Sequence, residues 1–127
     1  MKIVFTSKGQ DLDAMMDPRF GRAEFLILYD EESESHIVFD NSESGRAAHG
    51  AGPLTAQKVY ALKPDAIVTG NGPGEKAAAT LKIANINMYV GAGNMAVGEA
   101  LQAFQQGKLE KIELFFWANK INRIISS

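Results

Sequence analysis

Apolar positions along this chain come in short runs separated by glycine, proline and charged residues, and their spacing changes character after residue 40. Lys2 to Thr6 is short, β-branched and apolar, which predicts a buried strand. Residues 7–23 form a polar connection containing Asp17-Pro18 and Gly21. Glu24 to Tyr29 is apolar on both alternating faces, which fits a strand covered on both sides. The acidic stretch from Asp30 to Ser35 lacks an apolar anchor and reads as a turn, so His36 to Phe39 returns as the second arm of an antiparallel hairpin.

Beyond Asp40 the period lengthens. Asn41 to Gly52 is polar and glycine-rich, and Pro53 occupies what would be a first helical position. Leu54, Ala56, Val59, Ala61 and Leu62 give the apolar face of a helix that Pro64 stops. Ala66 to Val68 predicts a strand, Glu75 to Ala84 a second helix and Ile86 to Val90 a further strand. A third helix runs to about Gln106, with Gly107 as its stop. The order β-β-β-α-β-α-β-α predicts an α/β fold with a five-stranded mixed sheet and helices on both faces. After Leu109 two readings stand. Leu114, Trp117, Ile121 and Ile124 follow helical spacing, whereas Lys111 to Trp117 also suits an added strand. Phe115-Phe116-Trp117 is too apolar to stand in water, so residues 111–127 are expected as a C-terminal extension packed on the domain or on a partner.

In this topology the connections 7–23, 41–53, 70–74 and 91–95 emerge at one sheet edge, and three of them lead into helices. Helix N-termini carry unpaired N–H groups and partial positive charge, and they favour anions. Gly50, Gly52, Gly70, Gly72, Gly74, Gly91 and Gly93 let a ligand approach the backbone, or else serve tight turns. Arg19 and Arg22 flank Phe20-Gly21 in the first connection, and Arg46 and His49 lie in the second. Guanidinium groups bind phosphate or carboxylate bidentately, or they are solvated or paired with Asp11, Asp13, Asp17 or Glu24. His49 suits a transition metal or a loop-stabilising hydrogen bond, while His36 falls on a strand as a half-exposed sheet residue.

Composition narrows the chemistry. With 127 residues there is room for one domain and one core. The formal net charge of -2 argues against a nucleic-acid protein held by bulk charge. The absence of cysteine excludes disulfides, thiolate metal sites and a cysteine nucleophile. The apolar run at Met1–Ser7 is too short for a signal peptide core, and no stretch approaches the ~20 apolar residues of a membrane span. A cytoplasmic location without membrane contact is therefore expected. Gly91 to Ala96 matches G-x-G-x-x-A, but no acidic residue follows at the end of a next parallel strand. Gly70 to Lys76 lacks the P-loop glycine and Ser/Thr around its lysine. No carboxylate pair on the first strand and no triad context is present, so an enzyme is not expected. The methionines are expected in the core.

Several segments together resemble the dinitrogenase iron-molybdenum cofactor biosynthesis family. They are Asp17-Pro18-Arg19-Phe20-Gly21-Arg22-Ala23, the Gly50-Ala51-Gly52 helix start, Asp65 through Gly74 including Asn71, and Glu99-Ala100-Leu101 running to Gly107-Lys108-Leu109. The resemblance covers residues 1–110. It implies a three-layer, ribonuclease H-like fold without the nuclease carboxylates. It also implies a non-catalytic binding or carrier protein for an iron–sulfur or iron-molybdenum type cofactor or its precursor. The family pattern carries a histidine directly before Phe-Gly; here that position is Arg19, which leaves His49 as the one plausible protein ligand to a metal. Partners implied are the metallocluster or another anionic small molecule and a cofactor-assembly protein, with the chain a monomer or homodimer. Two alternatives remain: a module for a phosphorylated small molecule or nucleotide using the same loops, and an interaction domain acting through Phe115–Trp117.

Overall fold

A computed structural model describes residues 1–113. Its strands are β1 (Lys2–Ser7), β2 (Phe25–Asp30), β3 (Ser35–Asp40), β4 (Ala66–Val68), β5 (Asn87–Val90) and β6 (Glu110–Ile112). The helices are α1 (Ser42–Gly45), α2 (Ala51–Leu62), α3 (Glu75–Ile83) and α4 (Val97–Gln105). All six strands form one mixed sheet in the order β3-β2-β1-β4-β5-β6. β2 lies antiparallel to both β1 and β3, β4 runs parallel to β1 and to β5, and β6 is antiparallel to β5.

Strand alternation builds the layers. Val4, Leu26 and Ile67 face α2 and α3, where Ala56, Val59, Ala77, Ala78 and Leu81 complete one buried cluster. Ile3, Phe5, Ile27 and Val68 face the other way and pack against Val97, Ala100 and Leu101 of α4. Small side chains on α2 and α3 let these helices lie close on the sheet, and larger strand residues fill the space between. The result is the expected three-layer α/β architecture.

Several details differ from the sequence expectation. The sheet has six strands rather than five, because Glu110–Ile112 pairs with Met88–Val90. The boundary expected at residue 110 therefore falls inside β6, and the remaining expectations for Leu114–Ile124 and Phe115–Trp117 lie outside the described residues. α2 begins two residues before Pro53, which is its third residue, a first-turn position where a missing N–H costs no helical bond. A one-turn helix, α1, interrupts the polar stretch after β3. His36 is exposed on edge strand β3. Met16 and Met88 are buried as expected, while Met15 is exposed.

Candidate functional site

β1, β3, β4 and β5 run in one direction, so the connections that follow them meet at one sheet edge, as the element order requires. The first connection is pinned to the core rather than free. The Asp17 N–H donates to the Thr6 carbonyl at 2.9 Å. The buried Thr6 hydroxyl donates to the Asp17 carbonyl at 2.8 Å, and it shares a 2.8 Å hydrogen bond with the hydroxyl of Thr69. These contacts place Asp17-Pro18 over the ends of β1 and β4.

Asp17 is buried, and its carboxylate is occupied by Arg19. The Arg19 backbone N–H donates to Asp17 Oδ1 at 2.9 Å, and the guanidinium reaches Oδ1 and Oδ2 at 3.1 Å each through Nε and Nη2. The side chain of Arg19 is nevertheless 60% exposed against 2% for Asp17, so the fork is held at its base while its outer edge faces solvent. The hydrogen bond and the charge of Asp17 push the Arg19 pKa above its ordinary value, which keeps it fully cationic. Arg22 donates from Nη1 to the carbonyl oxygens of Gly45 and Ala47. Hydrogen bonds from Ser42 hold the Asp40 carboxyl below its ordinary range, with smaller contributions from Lys58 and Arg46.

Phe20 points inward and is 3% exposed in the cluster beneath α2 and α3. Gly21 lies directly against the start of α2: a Cβ there would stand 2.7 Å from the Gly52 nitrogen. Asn41 fastens this contact. Its Nδ2 donates to the Ala23 carbonyl at 2.8 Å and to Thr55 Oγ1 at 3.0 Å, and Thr55 in turn donates to the Gly21 carbonyl at 3.1 Å. Nothing in the sequence singled out Asn41 or Thr55, since a polar residue at a strand end reads as a turn. Asn41→Ala is expected to cost about 1–3 kcal/mol, because it leaves the buried Ala23 carbonyl unpaired. Urea denaturation measures this, and an unchanged midpoint would remove Asn41 from the framework of the site.

Two cavities open at this edge and share Arg19 and Arg22. The first, of about 440 Å³, is a groove between residues 19–22, the start of α2 at 50–53 and the segment 71–74 before α3. It brings together Arg19, Phe20, Gly21, Arg22, Gly50, Gly52, Asn71 and Gly72 from the sequence expectation. Neither α2 nor α3 has a side-chain cap at its N-terminus, so both helices present polarised N–H groups to the groove wall. Gly50 enters α2 with a φ of +75° and open space beside it, a conformation and a clearance that glycine supplies without strain.

The remaining expected residues are placed elsewhere. His49 is exposed and lines neither cavity. Gly70 packs against Pro18, as does Gly93, so both serve close approach of chain to chain. Gly91 and Gly93 precede α4, whose first N–H groups are taken internally. Val97 and Gly98 donate to the carbonyls of Ala14 and Leu12 at 2.8 Å each, and Glu99 Oε1 accepts from the Ala96 N–H at 3.1 Å. Of the starts of α2, α3 and α4, only those of α2 and α3 border the groove.

The second cavity, of about 500 Å³, adjoins the first at Arg19 and Arg22 and extends to Lys8, Glu24, Ser42 and Arg46. Glu24 was expected only as an ion-pair partner of the arginines, and Lys8 and Ser42 were not expected here, because these residues meet only through the side-by-side packing of β1, β2 and β3. No group of three or more His, Cys, Asp or Glu suited to a metal ion occurs among the described residues. No helix among them is long and apolar enough to cross a membrane.

Residues 1–107 match the family model for dinitrogenase iron-molybdenum cofactor proteins. The apo form of the orange protein (ORP) from Desulfovibrio gigas superposes with a TM-score of 0.83 at 30% identity, covering 88% of this chain and 92% of that one. A Thermotoga protein of the DUF35 family, solved by NMR, gives a TM-score of 0.74 at 35% identity over 87% of this chain and 91% of that one. No curated protein matches the sequence.

Proposed function

The chain belongs to the dinitrogenase iron-molybdenum cofactor family, and from that premise we propose that it is a non-catalytic carrier of an iron–sulfur or iron-molybdenum type cluster or its precursor, received from or passed to a cofactor-assembly protein. The observation that carries this reading is the groove itself. Arg19 and Arg22 stand on one side of it, and the uncapped N-termini of α2 and α3 form the other.

The donor chemistry decides which form of cargo fits. The chain has no cysteine, and no three-ligand set occurs among the described residues. A bare metal ion would therefore find little here. A preassembled anionic cluster brings its own bridging sulfides, which accept hydrogen bonds from backbone N–H groups and guanidinium forks. Arg19, buttressed by Asp17, holds a fixed positive charge at the groove where the family pattern has histidine. His49, exposed directly before Gly50 but lining neither cavity, is the histidine nearest in sequence to the groove. The similarity to an apo-form orange protein supports a ligand-binding role.

Anaerobic reconstitution with ferrous iron, sulfide and molybdate, followed by visible absorption after desalting, tests the reading. A bound chromophore is expected, with retention reduced by roughly 10- to 100-fold in Arg22→Ala, the loss of one charge-assisted contact of about 1.5–3 kcal/mol. His49→Ala reports whether the imidazole ligates. No chromophore on the folded wild-type chain would overturn the carrier assignment.

A further inference from the structure

The second cavity adds Lys8, Glu24, Ser42 and Arg46, which the carrier role does not use. It is bordered by Lys8, Arg19, Arg22 and Arg46 against Asp17 and Glu24, which leaves two positive charges in excess. Asp17 is already committed to Arg19. Arg19 pairs with Asp17 and the N-terminus with Glu31, whereas Lys8, Arg22 and Arg46 have no carboxylate within 4.0 Å. Arg22 is nonetheless held in place by the Gly45 and Ala47 carbonyls, which leaves the rest of its fork free. Arg46 already feels the charge of the Asp40 carboxylate, so Lys8 and Arg22 are the cations of this cavity whose mutual repulsion an anion placed between them relieves.

We propose that this cavity is a second ligand site, distinct from the groove, for a small hydroxylated phosphate ester. Guanidinium forks match the geometry of phosphate oxygens, and Lys8 adds a mobile point charge. The volume of about 500 Å³ admits a ligand of metabolite size. Glu24 is the feature that sets the class of ligand. An exposed carboxylate at the wall of a basic cavity accepts hydrogen bonds from hydroxyl groups, whereas it repels a bare polyanion. Ser42 supplies a hydroxyl that either donates or accepts. Since Arg19 and Arg22 border both cavities, occupancy of the phosphate site draws on the same two cations that face the groove.

Titration of the full chain with glycerol 3-phosphate and with inorganic phosphate, followed by amide chemical shifts, provides the test. Saturable binding of glycerol 3-phosphate is expected, tighter than that of inorganic phosphate, with shifts centred on residues 8, 22–24 and 42–46. The double variant Lys8→Ala/Arg46→Ala should weaken it by at least tenfold without changing cluster uptake, since neither residue touches the groove. Glu24→Gln should reduce the preference for the ester over inorganic phosphate. Absence of saturable binding, binding indifferent to Lys8→Ala/Arg46→Ala, or equal affinity for the two probes would each overturn the proposal. Cluster uptake is read separately, so failure here leaves the carrier assignment standing, and the reverse also holds.

Discussion

Phe20→Ala is expected to destabilise the domain by about 3–5 kcal/mol, a large part of the roughly 5–15 kcal/mol that holds a domain of this kind together. The ring is 3% exposed and sits with Val4, Leu26, Val59 and Leu81 under α2 and α3. Its removal empties a site whose walls are helices and strands that cannot collapse inwards without breaking sheet or helix bonds. The consequence reaches the groove, because Phe20 lies between Arg19 and Gly21 and anchors the loop that carries the arginines. Phe20→Leu keeps most of the volume and should cost under about 1.5 kcal/mol. Urea unfolding of the two variants, with cluster uptake measured well below the transition, separates lost stability from lost loop position. A loss below about 1 kcal/mol for Phe20→Ala would show that the ring is not a core group.

This result would also show why part of the site was legible in the sequence and part was not. The order of elements fixed the direction of β1, β3, β4 and β5, and with it the edge where the loops gather. Runs such as Lys2–Thr6 and Ala66–Val68 are local signals that a single strand carries within itself. The neighbours of Arg19 are not local in that sense. Asp17, two residues earlier, was one of several carboxylates the loop could have used, and burial chose it. Lys8 and Arg46 are 38 positions apart in number and come together only because β1 and β3 flank β2 in register. Asn41 and Thr55 act through hydrogen bonds that no periodicity announces. β6 was ambiguous for the same reason: three residues make a strand when an edge is available to pair with, and β5 offers one. Glycine carried the least specific signal. Gly50 and Gly52 open onto the groove, whereas Gly70 and Gly93 are spacers for Pro18, and composition alone does not separate the two uses.

That distinction makes Gly70→Ala the sharpest test of how the site is assembled. A Cβ at Gly70 would lie 2.6 Å from Pro18 Cα and 2.9 Å from both its Cβ and its carbonyl oxygen. Two of those are backbone atoms, so no rotamer change relieves the overlap. Pro18 is held in place on its N-terminal side, because Asp17 is tied to Thr6 by two hydrogen bonds, and Gly93 packs against the same proline. The Asn71 N–H also donates to the Pro18 carbonyl at 2.7 Å, so pushing the loops apart breaks a bond that joins the two walls of the groove. Overpacking of this kind costs about 1–3 kcal/mol, and an overlap with backbone atoms of a hydrogen-bonded loop places this case near the upper figure. The melting temperature should fall by roughly 10 °C. Gly74→Ala serves as the comparison, because a methyl group at Gly74 would meet open space and the change should stay under about 1 kcal/mol. Differential scanning calorimetry of both variants decides the matter. Equal melting temperatures would mean that the loops at Pro18 and Gly70 are free to separate, and the groove would then be a mobile opening rather than a preformed site.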